Sequence, residues 1–298
     1  MLALEDAWLS LTFGFEDVLA IRKGGQLDTC FGPAGMRWSL YRGAEEDDMS
    51  TVSLIKWGFK AKRVVMELRG KKALVFGGTS GIGLAASIQL RDAGAEVIAV
   101  SRNPSKGEET DGLTLAACDV RDRAALTALF AAQAPFDILI SAATGGERAS
   151  GPFLQMDLDA YQGSFDKLWG YTNCVHLGAA HLREGGCMVL VSGSPARRAR
   201  AGQTALASVG GAVEQFVRAV AVELAPLRIN VVSPGIISTP MFGPDVQQRD
   251  KVLGGFTANH LIPRPGTAHE VAQGILFVVQ NNFVTGTTID VDGGWLLS

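Results

Sequence analysis

The sequence predicts an α/β fold, a doubly wound sheet of seven parallel strands covered by helices on both faces. Three observations predict it. From Met66 onward, short apolar runs alternate with longer helical stretches at the spacing of βαβ units. A glycine-rich loop, Gly77-Gly78-Thr79-Ser80-Gly81-Ile82-Gly83, joins the first run to the first helical stretch. The 298 residues are 47% hydrophobic and 19% charged, which supplies a core and excludes disorder over most of the chain.

Each element follows from its own pattern. The predicted strands are Lys72–Phe76, Glu96–Val100, Leu113–Ala117, Phe136–Ile140, Met188–Val191, Ile229–Val232 and Thr287–Val291, all short apolar runs bounded by turn residues. The glycine loop opens a helix that runs through Ala93, and Ala124–Ala132 forms the next. Further helices are expected near Ala160–Leu182, Thr204–Leu224 and Glu270–Gln280. The repeating part, residues 66–298, has the size of one doubly wound domain. Residues 1–65 read as an N-terminal extension of unknown structure, either a private addition, disordered or folded, or a non-native stretch upstream of a start at Met49 or Met66. Its three tryptophans, Trp8, Trp38 and Trp57, are unusual for a disordered tail.

Charge and cysteine usage narrow the class. Lys and Arg number 27 against 30 Asp and Glu, a net charge of −3 with no basic footprint for nucleic acid or anionic lipid. No uncharged apolar run reaches the roughly 18 residues of a membrane span. Glu5 and Asp6 stand where a secretory signal carries Lys or Arg. Cys30, Cys118, Cys174 and Cys187 are too far apart for a zinc knuckle or a disulfide framework. Reduced thiols and a cytoplasmic location are expected. His176, His181, His260 and His269 lack metal-ligand spacing, so no metal is expected.

The loop carries the first functional reading. Gly77 permits a tight turn, Gly81 lets backbone approach a pyrophosphate, and Gly83 lets the helix pack closely. Thr79, Ser80 and Ile82 complete the loop, and the helix N-terminus offers free N–H groups to phosphates. The second strand ends at Ser101-Arg102, where an acidic residue would bind a ribose 2′-hydroxyl. A guanidinium there pairs instead with a 2′-phosphate, so NADP(H) is expected in preference to NAD(H). Asp119, with Val120 at the end of the third strand, accepts the adenine amino group or caps the next helix.

With these motifs in place, residues 66–298 resemble the short-chain dehydrogenase/reductase family. The matching pieces are Gly77-x-x-x-Gly81-Ile82-Gly83, Cys118-Asp119-Val120, Asp137-Ile138-Leu139-Ile140, Arg228 through Gly235, and Val291-Asp292-Gly293-Gly294. The resemblance implies a Rossmann-like sheet and a nicotinamide cofactor. It also implies that Pro234-Gly235-Ile236-Ile237-Ser238-Thr239 lies against the carboxamide, and that the protein is a homo-oligomer, a dimer or tetramer. Ala142 and Ala143 take the place of the family's Asn-Ala pair beside the adenosine ribose, while Ser141 and Thr144 depart from its pattern.

The catalytic positions depart further. Leu206 stands where the family's proton-donating tyrosine belongs, and Gly210 where its lysine belongs. None of Tyr41, Tyr161 and Tyr171 has lysine four residues later. The family's serine falls at Gly193, between Ser192 and Ser194, and its asparagine at Lys167. An atypical subgroup looks similar, with Ala142-Ala143, Lys167-Leu168-Trp169-Gly170 and Val191-Ser192-Gly193.

Lys167 is therefore a candidate replacement for the missing cation, reaching across the space that Gly210 leaves, with a surface lysine as the competing reading. Ser192 and Ser194 are candidate hydrogen-bond partners of a substrate oxygen, and Ser194 before Pro195 equally suits a turn. Tyr171 suits core packing. The run Arg197-Arg198-Ala199-Arg200 either meets an anionic substrate at a pocket rim or is solvated. Met241–Pro265, with Met241, Phe242, Phe256 and Leu261, reads as a lid over an apolar substrate or as a small helical pair with its own core. The expected activity is reduction or oxidation of a small, mostly apolar carbonyl, imine or alcohol. The alternatives are a silent cofactor sensor or scaffold, and a cofactor-shaped site for cyclisation or isomerisation.

Overall fold

The computed structural model describes residues 65–106, 111–143 and 148–298, together with five short strands in the first 56 residues. The chain divides into two compact units, Met1–Arg63 and Val64–Ser298. In the first, Trp8–Thr12 pairs antiparallel with Val18–Arg22. Thr29–Phe31, Arg37–Leu40 and Leu54–Lys56 form a separate antiparallel sheet of three strands. Trp57 and Thr144 lie outside the described residues.

The second unit is built on seven strands: β1 Lys72–Phe76, β2 Glu96–Ser101, β3 Leu113–Ala117, β4 Phe136–Ser141, β5 Leu182–Val191, β6 Arg228–Pro234 and β7 Thr288–Val291. Their spatial order is β7-β6-β5-β4-β1-β2-β3, and every pairing is parallel. The order reverses between β1 and β4, the place where open α/β sheets leave a crevice at the carboxyl ends of their strands. The helices are α1 Gly81–Asp92, α2 Arg123–Gln133, α3 Leu158–Ser164, α4 Asp166–Gly178, α5 Thr204–Leu224, α6 Val246–Thr257 and α7 Ala268–Gln280.

Strand alternation sends neighbouring residues to opposite layers. Ala73 and Val75 of β1 join Leu90 of α1 and Val271, Ile275 and Val278 of α7 on one face. Leu74 and Phe76 join Phe130 of α2, Tyr171 and Cys174 of α4, and Val213 and Val217 of α5 on the other. Each fully buried Leu, Ile or Phe in these layers stabilises the fold by about 1.5–3 kcal/mol. The helix α5 is long and apolar enough by composition to cross a membrane, yet it packs its inner face on β6 through these valines. At the amino edge of β4, buried Asp137 accepts from Lys71 Nζ and Arg183 Nη1, both at 2.8 Å, and from the Lys72 N–H at 3.0 Å.

One predicted helix is two. The stretch near Ala160–Leu182 breaks at Phe165, between α3 and α4. The Ser164 hydroxyl donates to the Ala160 carbonyl and accepts the Ala149 N–H, which fixes the end of α3 against the incoming loop. The far end of α4 stops at Gly178, where a side chain would meet Leu139 and Phe130. Strand β5 consequently begins at Leu182, well before the expected Met188.

Candidate active site

The carboxyl ends of β1, β2, β4, β5 and β6 open into one cavity of about 670 Å³, a volume typical of a small-molecule or cofactor site. All sixteen residues expected to bind cofactor line it: Gly77, Thr79, Ser80, Gly81, Ile82, Gly83, Ser101, Arg102, Asp119, Val120, Ala142, Ala143, Pro234, Gly235, Ile237 and Thr239. The glycine loop is closely packed. Gly77 has φ +77°, and a Cβ there would lie 2.8 Å from the Ala143 backbone nitrogen. A Cβ on Gly83 would lie 2.1 Å from the Gly77 carbonyl oxygen, so its missing side chain lets α1 start against the loop itself. Ser80 precedes α1 in extended conformation and its side chain caps nothing, which leaves first-turn N–H groups for an anion. Across the cavity, Gly81 faces Thr239, whose carbons lie 3.5 Å from where its Cβ would be.

The end of β2 offers a second polar feature. The Ser101 hydroxyl is buried without a hydrogen-bond partner, and exposed Arg102 beside it lines the cavity. Asp119 does not cap α2: Asp122 does, accepting the Ala125 N–H at 3.0 Å, while Asp119 accepts the Arg121 N–H at 2.9 Å. Val120 packs against Gly170 of α4, and its carbonyl accepts from Asn173. The lining of this wall suits a dinucleotide, the glycine loop and the start of α1 offering N–H groups to its phosphates.

The catalytic candidates separate. Half-buried Lys167 lines the cavity, and its ammonium donates to the Ser192 carbonyl at 3.2 Å. It lies 5.5 Å from the centre of the Tyr171 ring. Burial, and then the positive charge of Arg148, bring the Lys167 pKa down to about 7. Ser192 also lines the cavity, and its hydroxyl donates to buried Glu214 of α5 at 3.1 Å. Glu214 in turn pairs with Arg197 at 3.3 Å and Arg218 at 3.7 Å. Ser194 is not brought to the cavity. It starts a tight turn through Ala196, is fully buried, and donates to the Pro234 carbonyl at 3.1 Å.

Gly210 leaves no open passage for Lys167, because Ala196 fills the space: a Cβ on Gly210 would lie 2.9 Å from that of Ala196. Lys167 instead approaches from the side of β5. Leu206 lines the cavity, and Tyr171 is core, its hydroxyl donating to the Val191 carbonyl. Among the described residues, no tyrosine stands beside the cavity with a free hydroxyl and a neighbouring lysine.

Segment Met241–Pro265 supplies Met241, Phe242, Leu253 and Phe256 to the cavity, while exposed Leu261 packs beside Gly294 instead. Arg249 of α6 ties this segment to the end of the Pro234–Thr239 stretch by donating to Ser238 Oγ at 2.8 Å, and braces the segment itself by donating to the Gly243 carbonyl at 2.7 Å. Sequence reasoning missed Arg148, Glu214 and Trp295. Glu214 carried a signal, a lone carboxylate on the apolar face of α5; Trp295 follows the Gly293-Gly294 turn; Arg148 carried none. Asp292 accepts the N–H groups of Gly294 and Leu296, and the turn it stabilises delivers Trp295 to the cavity wall.

Comparison with known proteins accords with this geometry. The family model described as enoyl-(acyl carrier protein) reductase matches residues 77–296. The 2-keto-3-deoxy-L-fuconate dehydrogenase of Xanthomonas campestris pv. campestris is 30% identical over 76% of this chain and 81% of its own. The L-xylulose reductase of Mesocricetus auratus is 29% identical over 78% of this chain and 98% of its own. A solved small-chain dehydrogenase in complex with NADPH is 30% identical, with a TM-score of 0.65, over 77% of this chain and all of its own. With its glycine loop, its seven-stranded parallel sheet and these relatives, the chain belongs to the short-chain dehydrogenase/reductase family of nicotinamide-dependent oxidoreductases.

Proposed function

We propose that the chain is an NADP(H)-dependent oxidoreductase acting on a small, mostly apolar carbonyl, imine or alcohol through a non-standard catalytic centre. The observation that carries this reading is one cavity holding the glycine loop, Ser101-Arg102 and the Pro234–Thr239 segment together. The last of these is unnecessary for holding an ADP-ribose alone. Preference for the 2′-phosphorylated cofactor rests on the unpartnered Ser101 hydroxyl and on Arg102, and a similar protein has been solved with NADPH.

When bound, the reduced cofactor supplies a hydride to the carbonyl carbon, the oxygen takes up a proton, and alcohol and oxidised cofactor result. Lys167 holds the proton beside Ser192, with a pKa suited to giving or taking it near neutrality. Glu214 accepts the hydrogen bond of the Ser192 hydroxyl, so the hydroxyl oxygen is left to accept a hydrogen bond from an alcohol and does not donate to a carbonyl. Phe242, Phe256 and Trp295 line the other walls with apolar surface.

The test is titration of the purified protein with NADPH and NADH, followed by incubation of the NADPH complex with ketones, quinones and imines. Tight NADPH binding and steady loss of the reduced-nicotinamide absorbance support the reading. Binding of neither dinucleotide overturns it. Leu206 and Gly210 in the family's tyrosine and lysine positions favour a second reading, a silent NADP(H) sensor, which tight binding without turnover would establish.

A further inference from the structure

The cavity is unbalanced in charge. Arg102, Arg121, Arg148, Lys167 and Arg200 line it, and Asp119 is the only carboxylate among the described residues that does. Asp119 and Asp166 pair with Arg121 at the adenosine end, and Arg102 stands beside the ribose position. Arg148, Lys167 and Arg200 are left at the other end, and no acidic side chain pairs with them among the described residues.

The segments that carry the two arginines are held in place. Arg148 enters on a segment whose next residue, Ala149, donates its N–H to buried Ser164. That segment meets the one carrying Arg200 through a bond from the Gly151 N–H to the Gly202 carbonyl at 3.1 Å. The Arg200 guanidinium lies over the Trp295 ring, 4.6 Å from its centre, and the Arg200 backbone N–H donates to Gln203 Oε1. Arg197 and Arg198 are spent elsewhere, on Asp290 with Glu214 and on the carbonyls of Trp295 and Leu296. Only Arg200 of that basic run reaches the cavity. Leu206, Met241, Phe242 and Phe256 complete the wall with apolar surface.

Resting on the oxidoreductase reading, we propose that the substrate is an apolar carbonyl compound bearing a carboxylate, which Arg148 and Arg200 take while Lys167 faces the carbonyl oxygen. A guanidinium makes two parallel bonds to a carboxylate with full charge pairing, whereas a neutral ester offers only its carbonyl oxygen, for a single weaker bond and no ion pair. The charge of Arg148, which disfavours protonated Lys167 in the free protein, is neutralised when that carboxylate binds.

The experiment is calorimetry on the full chain saturated with NADPH, using pyruvate, benzoylformate and levulinate, each against its ethyl ester. At least one acid is expected to bind tenfold or more tightly than its ester. The preference should fall several-fold in Arg148→Gln and in Arg200→Gln, while NADPH affinity stays unchanged. If no acid in the panel outbinds its ester, or if the preference survives both substitutions, the proposal is overturned. Failure of NADPH itself to bind overturns the cofactor reading and this one with it. NADPH binding without acid preference overturns this one alone.

Discussion

Gly210 and Ala196 stand so close that any side chain at position 210 would begin 2.9 Å from the Ala196 methyl carbon. The turn after β5 has settled onto α5 where the family's lysine would project. Restoring that lysine by Gly210→Lys therefore overpacks a closed contact. The variant should lose about 1–3 kcal/mol of stability and gain no turnover, as read by urea unfolding and NADPH oxidation. Unchanged unfolding with new activity would contradict the packing argument.

Arg102 sits beside an unpartnered Ser101 hydroxyl at the end of β2. On the proposed NADP(H) reading, Arg102→Asp exchanges the proposed partner of the 2′-phosphate for a charge that repels it. NADPH affinity should fall by tenfold or more while NADH affinity holds or improves, measured by fluorescence titration of both cofactors.

Lys167 predicts two pH dependences. Carbonyl reduction needs its ammonium, so kcat/KM should fall as pH rises through about 7, and that for alcohol oxidation should rise over the same interval. Lys167→Met should remove the inflection and cut turnover by about a hundredfold or more. Stability moves in the opposite sense. Unfolding restores the usual lysine pKa, so between pH about 7 and about 10.4 the unfolded chain binds more protons and folding strengthens with pH. Lys167→Met lifts a penalty that is complete below pH 7, and its gain in Tm should be largest there.

Burial raises the Asp137 pKa, but hydrogen bonds from Lys71 and the Lys72 N–H, with the charges of Lys71 and Arg183, outweigh it and hold the carboxyl below its ordinary value. Its contribution is present above the unfolded carboxylate range and is lost as pH falls through the lowered folded value. Asp137→Asn should cost about 1.5–3 kcal/mol at neutral pH. The gap from the parent protein should shrink on acidification, as followed by thermal unfolding at several pH values.

What was legible in the sequence was whatever depends on local pattern. Lys72–Phe76 alternates between two apolar layers and Leu113–Ala117 ends as its run ends, so all seven strands could be read directly. The glycine loop and Ser101-Arg102 adjoin strand ends, so the residues lining that side of the cavity were legible too. Contacts between distant segments were not. Phe165 interrupts a helical pattern because Ser164 receives a loop from Ala149. Ser194 faces away from the cavity because Pro234, forty residues later, takes its hydroxyl. Arg148 and Arg200 line one cavity although 52 residues apart, and their segments meet where the Gly151 N–H donates to the Gly202 carbonyl.

Trp295 stands almost at the end of the chain and yet forms part of the cavity wall, under Arg200 and beside His260. One indole therefore braces a guanidinium on its face and closes part of the wall at once, so trimming Trp295 to alanine would loosen Arg200 and widen the chamber in a single change.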